Sequence, residues 1–262
     1  MKNATKFLNK MFFAFFAASL SVFILGCGEK VEITTVSDLE NITVGCQAGT
    51  TGENFLRENL ESAKAKPFRD GYEACLALKN KEIDAVILDE FPAQTLAKNN
   101  KDLKIIDLNL PFEEYAVAVK KGNTELLQAI NRAIRILKND GSIEKLEEAF
   151  FPADGNLKIP QSPGAKYAKT LKMGTNAAFP PFEYTEGTKV IGFDVSFAEL
   201  IADKSRRNLH VFDVSFVSLL DALNAGSIDF VCAGLTINEE RKLQMDFSEP
   251  YFTSRQVIIV RK

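Results

Sequence analysis

Short apolar runs alternate along the chain with longer segments in which apolar residues recur three and four positions apart. A run of about four to eight apolar residues is typical of a buried strand, whereas the longer spacing places apolar side chains on one face of a helix. Repeated strand and helix segments predict an α/β fold. The predicted strands span 42–46, 83–88, 103–108, 115–120, 209–214, 228–232 and 256–260, and Met173 begins a further one.

Several predicted helices carry start or stop signals. Asn123 precedes a segment whose apolar residues share one helical face, and Gly141 stands just past its end. Ser142 and Asp194 are predicted to cap the helices that follow them, and Phe216 is predicted to begin another helix. Helices therefore follow predicted strands in the order that an α/β fold requires.

The first 26 residues have the pattern of a targeting segment. Three lysines precede an apolar stretch from 11 to 25, which is too short for a comfortable membrane span. The stretch ends in Ile-Leu-Gly-Cys27, which resembles a lipobox, so Cys27 is predicted to be the lipidated first residue of the mature protein. A plain secretory signal with a coincidental cysteine is the alternative. Residues 27–36 are interpreted as a tether.

Composition limits the classes of protein that fit. The 262 residues are 46% hydrophobic and 26% charged, which suits a globular chain with two cored lobes. The net charge of −3 gives no indication of a nucleic-acid partner. Cysteine and histidine spacing predicts no metal site and no cofactor, and Cys46 and Cys75 are expected to be buried free thiols rather than a pair. The single histidine, His210, is interpreted as structural.

The segment from 231 to 251 contains the strongest candidate chemistry. A predicted strand ends near Gly234, and Thr236 with Glu239 fits a capping box at a helix start. A helix start attracts anions, and the guanidinium of Arg241, about one turn further on, suits a carboxylate. A surface arginine on an ordinary helix is the alternative.

Two further segments support an anion site. The run 47–52 is a second turn onto a helix start, with Thr50 or Thr51 as its cap, so two helix starts are predicted to point at one anion. Asp89 directly follows the predicted strand 83–88, at the strand end where α/β folds place ligands. Helix capping before Pro92 is the competing role for Asp89.

The segment from 171 to 262 resembles the first lobe of the amino-acid-binding proteins of ABC importers, the polar amino acid family 3. The matching sequence motifs lie at 174–184 (Gly-Thr-Asn-Ala-Ala-Phe-Pro-Pro-Phe-Glu-Tyr), 191–195, 222–229, 234–241 and 246–251. Residues 38–113 are similar to the second lobe, and the matching motifs there lie at 48–52, 77–86 and 88–90. The resemblance implies a two-lobed, type II periplasmic-binding-protein-like α/β fold with the ligand in the cleft between the lobes.

The lobes stand in the reverse of the family's order, which indicates a circular permutation. Residues 37–113 with 253–262 would form the second, small lobe, and 114–150 with 169–252 the first, large lobe. Residues 151–168, with three prolines and two glycines, would be the linker between them. One chain is expected to form one monomeric binding protein, and exchange of lobes between two chains is the alternative.

The resemblance also implies roles for individual residues. Arg241 would bind the α-carboxylate of an amino acid, helped by the Thr236 hydroxyl and the backbone near Thr50 and Thr51. Asp89 and the Gly234 carbonyl would bind the α-ammonium.

The remaining residues would face the ligand's side chain. Phe179 and Phe216 would flank it, or act only as core aromatics, and Asn176 would reach its polar end. Many relatives have Asp in place of Asn176, and some have a charged residue in place of Gln47. A polar or neutral ligand is therefore favoured over a cation.

The function implied is an extracytoplasmic, membrane-anchored lipoprotein that captures a free amino acid and delivers it to an ABC transporter permease. The alternatives are an enzyme on the same fold, such as a cyclohexadienyl dehydratase or a lytic transglycosylase, and a receptor sensor domain. The sequence contains no Ser/His/Asp set for catalysis, although its carboxylates leave an acid–base pair open.

Overall fold

The computed structural model describes residues 32–60, 62–152, 156–161, 164 and 166–262. The predicted targeting segment and Cys27 lie outside the described residues. Residues 33–262 form one compact unit, and the account below concerns that unit.

The strands and helices follow the predicted α/β pattern. The strands are β1 (Thr43–Gln47), β2 (Lys64–Phe68), β3 (Ala85–Asp89), β4 (Leu103–Ile106), β5 (Phe112–Tyr115), β6 (Ala118–Lys120), β7 (Thr170–Thr175), β8 (Ala178–Phe179), β9 (Glu183–Glu186), β10 (Lys189–Ile191), β11 (Asn208–Asp213), β12 (Phe230–Val231), β13 (Met245–Phe247) and β14 (Phe252–Arg261). The helices are α1 (Thr51–Asn59), α2 (Gly71–Lys79), α3 (Glu90–Asn99), α4 (Thr124–Asn139), α5 (Ser142–Phe150), α6 (Phe193–Lys204), α7 (Leu219–Asn224) and α8 (Glu239–Gln244), with 3-10 turns at Val36–Leu39 and Phe216–Ser218.

One sheet has the order β2-β1-β3-β14-β4, and β5 also pairs with β14. β1 runs parallel to β2 and β3, whereas β14 is antiparallel to all three of its neighbours. This sheet and helices α1 to α3 are called the β1 lobe below. The last strand of the chain therefore lies inside the sheet that the first strands build.

A second sheet has the order β11-β7-β12-β6-β13, and a three-stranded sheet has the order β10-β9-β8. β11, β7 and β12 are parallel, and β6 is antiparallel to β12 and β13. These two sheets and helices α4 to α8 are called the β7 lobe. The chain is thus a two-lobed α/β protein.

Aromatic side chains pack where the two lobes meet. The ring of Phe151, just past α5, lies 4.5 Å from that of Phe91 and 4.9 Å from that of Phe252, measured between centroids. Phe182 of the β7 lobe lies 5.0 Å from Phe252 and 5.4 Å from Tyr115. Tyr115, Phe182 and Phe252 belong to one buried cluster that contains residues of both lobes, and the partly buried Phe91 and Phe151 pack against it.

The prediction of a single strand over 115–120 is wrong. β5 ends at Tyr115 and pairs with β14, whereas β6 begins at Ala118 and pairs with β12. The chain passes from one sheet to the other between these strands. Both halves are apolar because both are buried, so the hydrophobic pattern does not reveal the break.

The predicted helix caps are partly confirmed. The Asn123 side chain accepts a hydrogen bond from the N–H of Leu126, and Gly141 follows α4 with φ of 72°. The predictions for Ser142 and Asp194 are wrong, since each lies inside its helix. Gly192 holds the cap position of α6 because a Cβ there would lie 2.1 Å from the carbonyl oxygen of Phe182.

Cys46, Cys75 and Cys232 are buried free thiols, as predicted for the first two. None of the helices in the described ranges has the length and apolar character needed to cross a membrane.

Candidate ligand-binding site

A cavity of about 330 Å³ lies between the two lobes. This figure includes space open to solvent. The volume free for a water-sized sphere is about 20 Å³, so the lining side chains lie close together in this arrangement. All ten residues that the sequence predicts for ligand binding line it: Gln47, Thr50, Thr51, Asp89, Asn176, Phe179, Phe216, Gly234, Thr236 and Arg241. Glu183 and Ala233 also line it.

Strand ends bring these side chains together. Gln47 and Asp89 are the last residues of the parallel strands β1 and β3, and Asn176 directly follows β7. The carboxyl ends of parallel strands share one edge of a sheet, where α/β folds place ligands. The cavity therefore lies where the carboxyl edges of the two lobes face each other.

Arg241 provides the positive charge of the cavity. Its Nη1 donates to the Thr236 carbonyl at 2.8 Å, and its Nη2 donates to the Gly49 carbonyl of the other lobe at 2.9 Å. Burial lowers the pKa of Arg241 from its usual value, but an arginine remains protonated in proteins. A ligand carboxylate in this cavity would have a permanently charged cation to bind.

The predicted capping role of Thr236 is wrong. Asn238 caps α8 and accepts a hydrogen bond from the N–H of Arg241 at 2.8 Å. Thr236 instead forms an isolated antiparallel bridge with Tyr115, which holds it in extended backbone one turn before the helix. The short α8 thus supplies Arg241 to the cavity. The Thr236 side chain does not cap this helix.

The second predicted turn is confirmed as a helix start. Thr50 caps α1, and its hydroxyl accepts a hydrogen bond from the N–H of Glu53 at 3.4 Å. The first N–H groups of a helix have no intrahelical partner, so the backbone at Thr51 offers donors beside the cavity.

Asp89 is the negative group opposite Arg241. It is only 7% exposed, and the Tyr115 hydroxyl donates to its carboxylate. Burial raises the pKa of Asp89 to about 7, and the charge of Glu113 adds to the effect. Asp89 stands at the cap position of α3, but its side chain makes no capping hydrogen bond. The capping alternative therefore does not explain how the carboxylate is used.

Uncharged groups line another part of the cavity. The Gln47 side-chain amide donates to Asn176 Oδ1 at 2.9 Å, and the Asn176 amide donates to the Val214 carbonyl at 3.0 Å. Gly234 has a φ of 53°, and a Cβ there would lie 2.7 Å from the Phe179 ring. Only glycine at this position allows the turn to approach that ring closely.

The two predicted aromatic walls differ in their contacts. Phe179 is 9% exposed and stacks on Phe182, with centroids 5.5 Å apart. Phe216 lies in the 3-10 turn, and its ring centroid is 5.7 Å from the guanidinium carbon of Arg241. Both rings border the cavity, and Phe179 is also part of the buried core.

Glu183 and Asp194 form a buried acidic pair at the wall of the cavity, and sequence reasoning missed both as site residues. Asp194 Oδ2 accepts from the Gly234 N–H and from the Tyr251 hydroxyl, each at 2.7 Å. Burial, and then the charge of Asp194, raise the pKa of Glu183 well above its usual range. Burial raises the pKa of Asp194 to about 6. A neutral Glu183 beside an ionised Asp194 is therefore the favoured state, and Asp194 holds the Gly234 turn in place.

Other predicted features lie away from the cavity. His210 is exposed on β11, with its ring 4.6 Å from that of Phe212. Within the described ranges, His, Cys, Asp and Glu form no group that could hold a metal ion.

Residues 171–262 match the model of the bacterial extracellular solute-binding proteins, family 3. This segment is similar to members of that family. It covers most of the β7 lobe and the final strand β14. The matched segment supplies Asn176, Phe179, Gly234 and Arg241 to the cavity, among others.

Curated relatives overlap the chain in part. The arginine-binding extracellular protein ArtP of Bacillus subtilis is 44% identical over 94 residues, which cover 36% of this chain and 37% of ArtP. The L-cystine-binding protein TcyJ of Escherichia coli K12 is 34% identical over 128 residues, 48% of each chain. A probable histidine-binding protein of Neisseria gonorrhoeae is 38% identical over 115 residues, 44% of this chain and 43% of that protein. The chain thus spans less than half of the length of each.

A solved structure of an ancestral arginine-binding protein bound to glutamine is 44% identical, with a TM-score of 0.32. The matched part covers 33% of this chain and 39% of that one.

Proposed function

We propose that this chain is an extracytoplasmic solute-binding protein that captures a free amino acid and delivers it to an ABC transporter permease. One observation carries the proposal: a small cavity between the two lobes is lined by an arginine, Arg241, and by a buried carboxylate, Asp89. A free amino acid carries one positive and one negative group a short distance apart, so this pair of charges is complementary to it. The similarity to arginine-, cystine- and histidine-binding proteins supports the same function.

In this proposal each end of the ligand has its own partners. Arg241 binds the α-carboxylate, together with the Thr236 hydroxyl and the backbone N–H groups near Thr50 and Thr51. Asp89 and the Gly234 carbonyl bind the α-ammonium.

The ligand's side chain extends between Phe179 and Phe216 toward Asn176 and Gln47. Both of these amides are uncharged and are already bonded to each other across the cleft. A polar, uncharged side chain can exchange hydrogen bonds with them, whereas a cation would find no counter-charge in that pair. We therefore favour a polar or neutral amino acid.

Native mass spectrometry of the protein purified from its host tests the proposal against an enzymatic function. A bound, chemically unchanged amino acid is the expected result, with a matching calorimetric affinity for the same compound. Steady conversion of an added ligand into a product would instead support a dehydratase-like enzyme.

We further propose that a lipid on Cys27 anchors the protein to a membrane. Cys27→Ser is expected to release it, because multiple acyl chains hold a protein stably at a bilayer whereas none remain in the variant. Fractionation of cells into membrane and soluble parts, after a salt wash, measures this. A Cys46→Ser variant is the matched control, since that thiol is buried in the β1 lobe. Retention of the Cys27 variant in the washed membranes would contradict the lipobox.

The lobe order is proposed to be a circular permutation within one chain. The pairing of β14 with β3 and β4 supports it, as does the location of β6 in the β7 lobe. A rearranged gene that encodes residues 169–262, a short loop and then residues 37–150 is expected to fold as a monomer and bind the same ligand. Light scattering and calorimetry measure both properties. A rearranged chain that binds nothing, beside a natural protein that is an obligate dimer, would favour lobe exchange.

A further inference from the structure

Glu113 connects the two lobes at the cavity's edge, and the proposed ligand site gives it no role. It lies on β5, in the segment that links the sheets. Its Oε2 accepts a hydrogen bond from the Thr51 hydroxyl of the β1 lobe at 2.9 Å. The same oxygen accepts one from the Thr236 hydroxyl of the β7 lobe at 2.7 Å. One carboxylate oxygen therefore joins hydroxyls from opposite sides of the cleft.

The groups around Glu113 are those that would bind a ligand's carboxylate. Thr51 and Thr236 line the cavity beside Arg241. Each threonine hydroxyl has one proton to donate, and both Thr51 and Thr236 donate theirs to Glu113. The Arg241 guanidinium is likewise engaged with the carbonyls of Thr236 and Gly49, one from each lobe. The side-chain donors of the anion site are thus engaged within the protein in this closed arrangement.

We infer that Glu113 is a specificity-determining residue that acts as an internal competitor: its carboxylate takes the hydroxyl donors that the ligand's α-carboxylate needs, and it bridges the lobes until the ligand replaces it. The inference rests on the proposed function, since it assumes a ligand with a carboxylate. Two carboxylates that share these donors also repel each other in a partly buried site. A ligand must therefore displace Glu113 from the hydroxyls, and a compound without a carboxylate has no means of doing so.

Glu113→Gln tests the inference, because the amide keeps the shape but loses the charge that makes the competing hydrogen bonds strong. The matched control is Glu114→Gln, the same charge change on the next residue of β5, whose side chain lies on the exposed face of the strand. The probes are the twenty standard L-amino acids, and then the α-amide of whichever one binds. Calorimetry of the full chain is expected to show about tenfold tighter binding of the amino acid to E113Q than to the wild type. The α-amide should bind E113Q and wild type equally, and E114Q should match the wild type for both.

Small-angle X-ray scattering of the ligand-free protein provides a second measurement that needs no ligand. The wild type and E114Q are expected to be compact, and E113Q to have a larger radius of gyration because the bridge between the lobes is weakened. Glu113→Asp is the second variant: it keeps the charge but is one methylene shorter, so it cannot reach both hydroxyls and should also expand.

Unchanged or weaker amino-acid binding in E113Q would overturn the competitor role. So would a gain in affinity that extends equally to the α-amide. Identical scattering of E113Q, E113D and wild type would overturn the bridge. If the wild type binds none of the amino acids, the proposed function fails, and the scattering comparison alone decides whether Glu113 bridges the lobes.

Discussion

Arg241→Ala is expected to abolish amino-acid binding while leaving the fold largely intact. Among the residues that the structure describes, Arg241 is the only cation that lines the cavity, and in the proposed complex its guanidinium binds the α-carboxylate through two charge-assisted hydrogen bonds. Each is worth about 1.5–3 kcal/mol, so their loss corresponds to about two to four decades of affinity. The variant also loses the hydrogen bond between Arg241 and the Gly49 carbonyl across the cleft, which removes one contact that favours closure.

Calorimetry of binding, with circular dichroism to verify folding, measures the effect. Lys242→Ala is the matched control, because this neighbouring cation on α8 pairs with Glu239 and does not line the cavity. Arg241→Lys should lie between the two, since it keeps the charge and loses the two-pronged geometry. Near-native affinity in Arg241→Ala would refute the assignment of the carboxylate site.

Asp89→Asn is expected to weaken binding of amino acids far more than binding of the corresponding deaminated acids. In the proposed complex the Asp89 carboxylate pairs with the α-ammonium, which the deaminated acids lack. The loss of one charge-assisted hydrogen bond costs about 1.5–3 kcal/mol, or about one to two decades of affinity. Asp102→Asn is the control for the charge change, because that aspartate is exposed and pairs only weakly with Lys79, at 3.7 Å. Equal losses for both kinds of ligand would show that Asp89 does not bind the ammonium.

The pH dependence of ligand affinity tests independently whether Asp89 binds the α-ammonium. The pKa of Asp89 is raised to about 7, so the carboxyl gains a proton as the pH falls below 7, and the ammonium then loses its counter-charge. Wild-type affinity is expected to fall by up to about tenfold per pH unit below 7, whereas Asp89→Asn should have a flatter profile. Asp194, Glu183 and Glu113 are present in both proteins, so the difference between the two profiles isolates Asp89.

The stability of the fold should depend on pH in the opposite sense to ligand affinity. Protonation of Asp89 weakens binding of the ligand but favours the folded state. A carboxyl whose pKa is raised in the folded protein favours folding in its protonated form. Its contribution is fully present below about 4 and is lost as the pH rises through about 7. Asp89→Asn is therefore expected to unfold at a temperature no lower than the wild type at pH 8. This keeps a loss of binding distinguishable from a loss of fold.

The sequence by itself determined the α/β class and ten of the twelve described residues that line the cavity. Asp89 was identifiable because it is a carboxylate at the end of a predicted strand, where α/β folds place ligands. Gln47 and Asn176 were predicted from the resemblance to the family. Thr50 was identifiable as the cap of α1 because capping is a contact within a few residues of sequence. Local signals of this kind need no knowledge of the rest of the chain.

Only the tertiary structure decided the features that depend on distant partners. Thr236 and Asn238 both fit a helix cap by sequence, and the bridge between Thr236 and Tyr115 makes Asn238 the cap. The break between β5 and β6 depends on pairing with two different sheets. The position of Glu113 depends on hydroxyls 62 and 123 residues away along the chain. A sequence pattern predicts which nearby residues are buried and which backbone conformation they adopt. The contacts named here depend instead on how the two lobes pack against each other.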